Sequence, residues 1–538
     1  MAPPNPNAGS IDINDITTQP LRPASKSERR YITRHSLDFY RSLILGGLYA
    51  ITLPSSPSPT PSPGEPVNPK DATTYIPALK HCISTHPSLR TAVKDADSES
   101  PVFVRPDRMD LRRHLEVVHP EIEGLDGDAG TGEEREMDVL RNVLKQTHNR
   151  VFEDVERVPG WMVVVVPLPD RDGGCTEKEG GKMMSVYIIF AYSHTHGDGR
   201  SGLNFHWTFL EGLRVGHRIH DCEYIYDTAT GSSNLLPPPM EEACELRITW
   251  SYLLFTVLGG YVPGFIRRWH GFRTPLATEK TWTGTAMKYD PEDFRTGVGM
   301  LIVPQETVEG VLGVCRAKKG VKFTGLLNAL VVWALSGALA VHSGSGLEVD
   351  EFIGQIVVDL RGLVGAYSPD MMVNCVSAVY EHSSRVSADG AVILKDDPAL
   401  WDAARDTTLR LADSAGTLVN QPIGLVAYLD KFRPWFLGKL GQKRDSSYEI
   451  SNAVVFDPSS SVSERKEGMT WEIERMVFSQ PANVTNCPLS FSVVTRKDGD
   501  MALTLNWQIG VLGVSNEDAF AKDVLGRIDG YLAGIVEM

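Results

Sequence analysis

Two hydrophobic rhythms alternate along most of this 538-residue chain, one suited to strands and one to helices. Val186-Tyr-Ile-Ile-Phe-Ala-Tyr192 is an apolar, β-rich run. From residue 201 to 213, apolar residues recur at helical spacing (Leu203, Phe205, Trp207, Leu210, Leu213). A strand followed directly by a helix is the expected result. Trp161–Pro167 reads as a buried strand, and residues 170–182, with four glycines, as the turn that joins it to the next. Residues 25–50 read as one element carrying Leu37, Phe39, Tyr40, Leu43 and Leu48, and residues 75–85 as an amphipathic helix. The acidic, Gly-rich stretch 121–135 reads as a surface loop. Further on, the pattern predicts a strand at 299–303, an apolar helix over 324–341 opened by Thr324, and a strand at 353–360 followed by the segment 371–380. A half-buried strand at 502–507 and an amphipathic helix over 516–536 close the chain.

Two stretches break the rhythm. Residues 54–70 are a Pro/Ser-rich loop that cannot pack. Residues 248–266 hold no charge and are flanked by Arg247, Arg267 and Arg268. That length spans a bilayer, but Gly259, Gly260, Pro263 and Gly264 suit a spanning helix poorly. A buried or membrane-surface helix is expected instead, with its arginines snorkelling.

The length exceeds what one core holds, so two lobes or more are expected. A net charge of −15 argues against nucleic acid as a partner. Seven scattered cysteines, with no C-x-x-C pair, suggest a reducing compartment and no zinc site. Residues 1–20 are polar, lack a secretory signal pattern and are expected to be disordered.

The chemistry concentrates in His194-Thr-His-Gly-Asp-Gly199, which fits H-x-x-x-D-G. His194 falls at the strand-to-helix turn, where an imidazole can take a proton from a hydroxyl or amine near neutral pH. The bland alternative is a structural His194 with Asp198 as a helix N-cap. His196 has the same strand parity but lies inside the turn, as a tunnel-wall residue or a polar support. Ser343-Gly-Ser-Gly346 has no strand before it and is no nucleophile elbow. No ligands at metal spacing accompany His194 and His196, so no metal is expected.

Several stretches, in order, resemble the alcohol acetyltransferase family, here a fungal member. Its superfamily also holds chloramphenicol acetyltransferases, plant BAHD acyltransferases and peptide-synthetase condensation domains. The stretches are Arg30-Tyr-Ile-Thr-Arg-His-Ser-Leu-Asp-Phe-Tyr-Arg41, His86-Pro-Ser-Leu-Arg-Thr91, the 194–199 motif and Phe323-Thr-Gly-Leu-Leu-Asn-Ala-Leu330. Asp359-Leu-Arg361, Asn374 and Ser451-Asn452 follow. The chain departs from the family where a Gly usually stands two residues after the late Asn, since Ala453 and Val454 follow here. The plant-type D-F-G-W-G is also absent.

The resemblance implies an α/β fold of two pseudo-symmetric chloramphenicol-acetyltransferase-like lobes, each a mixed β-sheet with helices, and an active-site tunnel between them. The N-terminal lobe would cover 21–220, a crossover region 221–295, and the C-terminal lobe 296–538. His194 would be the general base. Asp198 would pair with an arginine and order the loop, with Arg90 as the usual partner and Arg361 as runner-up. Gly199 would let the backbone enter the helix without a Cβ clash. Ser451, Asn452, His196 and Asn374 are candidates for the oxyanion or tunnel wall. Lys439, Lys443 and Arg444 are candidates for CoA phosphate, against a solvated basic loop.

The expected activity is acyl transfer from acetyl-CoA or another acyl-CoA, used as co-substrate with no permanently bound cofactor, to a hydroxyl (or amine) of a small or lipophilic acceptor. The expected protein is a cytoplasmic monomer, with peripheral endomembrane or lipid-droplet contact through 248–266. The alternatives are a carrier-protein-dependent condensation or product-release enzyme, which the lack of a fused carrier domain disfavours, and a non-catalytic scaffold, which intact His194 and Asp198 disfavour.

Overall fold

The computed structural model describes residues 11–52, 68–119, 132–168, 183–216, 222–229, 235–258, 277–343, 349–386, 397–460 and 470–536. Two large mixed sheets organise it. The first is five-stranded, in the order Thr470–Ser479, Leu43–Thr52, Met183–Tyr192, Trp161–Pro167, Leu115–Val117. Its central strands read as continuous apolar runs because both faces are covered. Met183–Tyr192 pairs antiparallel with both neighbours, placing Tyr192 opposite Leu43 on one side and Trp161 on the other. The helix Gly199–Gly216 follows this strand after six residues and lies against Ile76–Thr85. There Phe205 stacks on Phe190 with ring centroids 3.8 Å apart.

The second sheet is six-stranded, in the order Thr296–Val303, Met501–Gln508, Leu489–Arg496, Tyr448–Phe456, Glu351–Asp359, Val376–Ser384. Gln305–Ala317, Phe323–His342, Pro398–Ala415 and Glu517–Val536 supply helices to its core. Phe323–His342 is long and apolar enough to cross a membrane, but it is largely buried in protein and acts as a core helix.

The strands expected at 161–167, 186–192, 299–303, 353–360 and 502–507 are present, most of them a few residues longer. Other expectations are corrected. Residues 25–50 are not one element. A helix, Lys26–Ser36, with a Ser25/Glu28 capping box, precedes the strand Leu43–Thr52. Its charged positions masked a helix whose stability comes from packing and caps. The 121–135 loop gives way to a helix, Gly132–His148, while 121–131 lies outside the described residues. The apolar core helix opens at Phe323, with Lys322, not Thr324, in the N-cap position and no side-chain cap. Within 248–266 the helix is Trp250–Leu258, and 259–266 lies outside the described residues, as do 54–67, 170–182 and 344–348. A lobe boundary along the chain does not describe the sheets either. Thr470–Ser479, from the C-terminal half, pairs antiparallel with Leu43–Thr52 at the edge of the first sheet.

Candidate functional site

The tight link between strand and helix sets the position of His194. The Ser193 N–H donates to the Gly160 carbonyl (2.8 Å), ending the ladder, and the Tyr192 hydroxyl donates to the Asp198 carbonyl (2.7 Å), closing the turn. His194 lines a cavity of about 550 Å³ whose walls come from both sheets, from helix Lys26–Ser36 and from the segment Pro422–Tyr428. Its ring stacks on Tyr31, centroids 4.3 Å apart at 21°, and meets Tyr40 at 5.9 Å. Nδ1 is enclosed and has no hydrogen-bond partner from another described residue, which leaves Nε2 as the nitrogen open to the cavity. Burial, and next the charge of Arg34, lower the imidazole to about 4.

Asn374 supports this histidine from behind, its Nδ2 donating to the His194 carbonyl (2.7 Å). It therefore holds the loop rather than lining the tunnel.

Asp198 turns away from the imidazole. Its Oδ1 accepts from Arg361 Nη2 (2.7 Å) and from Ser201 N–H (3.2 Å), and its Oδ2 from the Cys375 N–H (3.0 Å). The same carboxylate thus caps the helix Gly199–Gly216 and joins the two halves of the chain. Burial pushes its pKa up, but the charge and hydrogen bond of Arg361 and the Cys375 N–H outweigh this and hold it below the ordinary carboxylate range. Arg361 also donates to the Val373 carbonyl (2.8 Å) and to Asp359 (3.2 Å).

Arg90 is not the partner of Asp198. It ends the short turn Pro87–Arg90 and bonds Tyr226 instead. Spacing within His86–Thr91 could not show which arginine the fold brings across.

His196 takes the second of its two expected roles, a polar support, and the tunnel-wall role is corrected. Its Nε2 accepts from the Gly160 N–H (3.0 Å) and its Nδ1 bonds the Ser88 carbonyl (3.0 Å), so both nitrogens pin backbone. It borders two minor cavities rather than the tunnel. Gly199 has no left-handed backbone, yet a Cβ there would lie 3.1 Å from the Phe478 ring. Its smallness makes room for that side chain at the cavity wall.

The basic trio separates. Arg444 is 0% exposed, and its Nη1 donates to the carbonyls of Asn483, Val484 and Asn486 at 2.8–3.2 Å. It braces a buried loop and is unavailable to phosphate. Lys443 donates to the Thr278 carbonyl (2.6 Å), away from the cavity lining. Lys439 does line the cavity, but it is ion-paired with Asp445 and lies over the Trp435 ring.

Ser451 and Asn452 both line the cavity, where the strand Tyr448–Phe456 bulges. The Asn452 amide is already committed. Its Nδ2 donates to Thr324 Oγ1 (3.1 Å) and its Oδ1 accepts from the Val454 N–H (2.8 Å). Val454 then adopts φ +63°, a left-handed conformation that strains a β-branched side chain and that Gly takes freely. This is the position where the resembled family places its glycine. Val454→Gly is expected to raise the unfolding free energy by about 1 kcal/mol, because the side chain is exposed and little packing is lost. A denaturant titration showing a fall would contradict the strain.

Sequence reasoning did not single out Tyr31, Arg34, Tyr40, Glu449 or Gln480, all of which line the cavity. The available signal was the i, i+4 spacing of Arg30 and Arg34, which puts both on one helix face beside Tyr31.

Residues 132–353 match the family model described as alcohol acetyltransferase. The chain is 21% identical over 527 residues to the probable alcohol acetyltransferase FCK4 of Fusarium pseudograminearum, covering 96% of this chain and 95% of that one. It is 23% identical to the probable alcohol acetyltransferase crmB of Aspergillus fumigatus, over 91% and 94% of the two chains. Among solved structures, TRI3 trichothecene 15-O-acetyltransferase of Fusarium sporotrichioides superposes with a TM-score of 0.62 at 12% identity, over 98% and 96% of the chains. The condensation domain of the monacolin K polyketide synthase MokA gives 0.52 at 11% identity, over 97% and 99%. These likenesses show the fold, the two-lobed chloramphenicol-acetyltransferase-like architecture.

Proposed function

We propose that this acyltransferase chain, whose residues 132–353 match the alcohol acetyltransferase family model, is a member of that family and transfers an acetyl group from acetyl-CoA directly to a hydroxyl of a small or lipophilic acceptor, with His194 as general base. The observation that carries the proposal is the setting of His194: a ring fixed by Tyr31, one nitrogen open to an internal cavity, and Asp198 engaged elsewhere. Burial keeps the imidazole neutral at pH 7, the form able to accept a proton.

In the proposed step, Nε2 takes the acceptor's hydroxyl proton as the oxygen attacks the thioester carbonyl carbon. The tetrahedral intermediate collapses with cleavage of the C–S bond. The departing thiolate recovers the proton from the imidazolium, giving the acetyl ester and free CoA thiol. The enclosing walls limit competition from water. The test is incubation of purified protein with acetyl-CoA and a panel of alcohols, following free thiol and identifying products by mass. Thiol release matched by O-acetyl product is expected. No release across the panel would overturn the proposal, and is the result expected of an enzyme restricted to carrier-bound thioesters.

We also propose that Trp250–Leu258 covers the acceptor side and touches a membrane peripherally. Leu253 and Thr256 face the cavity, while Trp250 is 77% exposed. Release of the protein from membranes by high salt or carbonate is expected. A strict detergent requirement that disappears on replacing 248–266 would contradict a peripheral contact.

A further inference from the structure

We propose that Tyr31 is a second catalytic residue: its hydroxyl donates a hydrogen bond to the thioester carbonyl oxygen as that oxygen becomes the oxyanion. The inference rests on the acyl-transfer reading and supplies the stabilising group that the reading leaves unassigned.

Acyl transfer needs a hydrogen-bond donor where negative charge develops. Most of the polar groups around His194 are already engaged. Asn452 is committed to Thr324 and Val454, Asn374 holds the His194 carbonyl, and both nitrogens of His196 pin backbone. Tyr40 donates to Gln480 Oε1 (2.8 Å) and Tyr192 to the Asp198 carbonyl (2.7 Å). Tyr31 is different. Its hydroxyl meets no hydrogen-bond partner among the described residues, yet it is not sealed in. The residue is 4% exposed, and that surface opens into the cavity His194 lines. A phenol O–H without a partner in a buried wall is a donor left for something that enters the cavity. Ser451 and Tyr380 also line the cavity, but neither stacks on His194 nor hydrogen-bonds it.

Position and charge agree with this role. The phenol stacks on the imidazole, centroids 4.3 Å apart at 21°, so the hydroxyl and the base lie side by side at the cavity. The attacking oxygen and the carbonyl oxygen are bound to the same tetrahedral carbon, so a donor beside the base can meet one while Nε2 serves the other. Arg30 also lines the cavity. Its Cζ lies 5.4 Å from the Tyr31 centroid, it forms no ion pair among the described residues, and its charge favours a developing anion. Asp198, on the same cavity, is engaged by Arg361. Burial pushes the phenol up against the pull of Arg30 and Arg34, so Tyr31 keeps its proton at neutral pH and acts as a donor, not as an acid. As the acceptor oxygen bonds the carbonyl carbon and Nε2 takes its proton, the π pair moves onto the carbonyl oxygen, where the Tyr31 O–H meets it. When that pair re-forms the double bond, the C–S bond breaks and the thiolate takes the proton back from the imidazolium. The phenol keeps its own proton throughout.

Tyr31→Phe keeps the ring and its stack and removes only the donor. The rate is read in single turnovers, with enzyme in excess over acetyl-CoA, so that chemistry and not product release is measured. Tyr31→Phe is expected to slow this step by about 10²–10³-fold, by the same factor with each accepted alcohol, while calorimetric affinities for CoA and for the alcohols stay at their wild-type values. The pH dependence of the step should be unchanged, because the base is intact; a Tyr31 that merely held the His194 ring would shift it. A rate close to wild type would overturn the assignment, and a large loss in Ser451→Ala beside it would move the oxyanion to the serine. A loss confined to some alcohols, or one expressed as weakened alcohol binding, would also overturn it, since an acceptor site discriminates and an oxyanion donor serves every acceptor alike. Wild-type protein that releases no thiol from acetyl-CoA with any alcohol would overturn the transfer reading and this assignment together. Equal turnover by wild-type protein and Tyr31→Phe would fault Tyr31 alone.

Discussion

His194→Ala is expected to lower turnover with acetyl-CoA and an accepted alcohol by about 10²–10⁴-fold while the protein stays folded, the usual contribution of a positioned general base. The fold should tolerate the change because the ring projects into a cavity and is not wedged inside a core. What is lost is a stack on Tyr31. His194→Gln, which retains polarity without a base, should be similarly slow. The pH dependence follows from the same group. With the imidazole lowered to about 4, it is already neutral at pH 6, so kcat/KM should stay level from pH 6 to 8. A limb centred near 7 would mean that the free enzyme holds its base in a wetter setting. Near-wild-type turnover by a folded His194→Ala protein would remove the base assignment altogether.

Asp198→Ala should cost stability as well as rate. The side chains of Asp198 and Arg361 are 2% and 5% exposed, and their ion pair ties the His194 turn to the segment after Glu351–Asp359. Removing one member leaves a buried guanidinium without its main counter-charge, which costs about 3–5 kcal/mol. The helix Gly199–Gly216 loses its cap in the same change. Denaturant unfolding of Asp198→Ala, Arg361→Ala and the double variant measures the coupling. The double variant should be less destabilised than the sum of the two, because neither charge is then left alone. Strict additivity would mean that the pair contributes nothing as a pair. The carboxylate is held below its ordinary range, so its contribution is fully present above the unfolded-state pKa and is lost as pH falls through the folded-state pKa.

Local patterns carried the sequence reading a long way, and long-range placement limited it. Met183–Tyr192 and Gly199–Gly216 were legible because period and composition agreed, and their junction placed His194. Asp198 was legible as a helix cap and as half of an ion pair, and it is both. The choice between Arg90 and Arg361 was not legible, since it depends on which segment the fold carries to the turn. Arg444 resembled a surface cation because it sits among polar residues, but carbonyls from the 483–486 loop enclose it. The edge position of Thr470–Ser479 was hidden for a related reason: an antiparallel partner more than four hundred residues away leaves no trace in local periodicity. Arg34 was overlooked because charged residues on a short helix ordinarily face water, and only the cavity shows that this one does not.

The central claim, direct acyl transfer assisted by His194, is tested most directly by following acetyl-labelled CoA through the reaction. Purified protein is mixed with the labelled thioester and an accepted alcohol, quenched in acid at intervals, and free thiol, O-acetyl product and protein-bound label are counted. The account predicts that thiol and ester rise together in equal amounts, with no label on the protein chain at any time. A burst of thiol equal to the enzyme concentration, with the acetyl group attached to the protein, would contradict it.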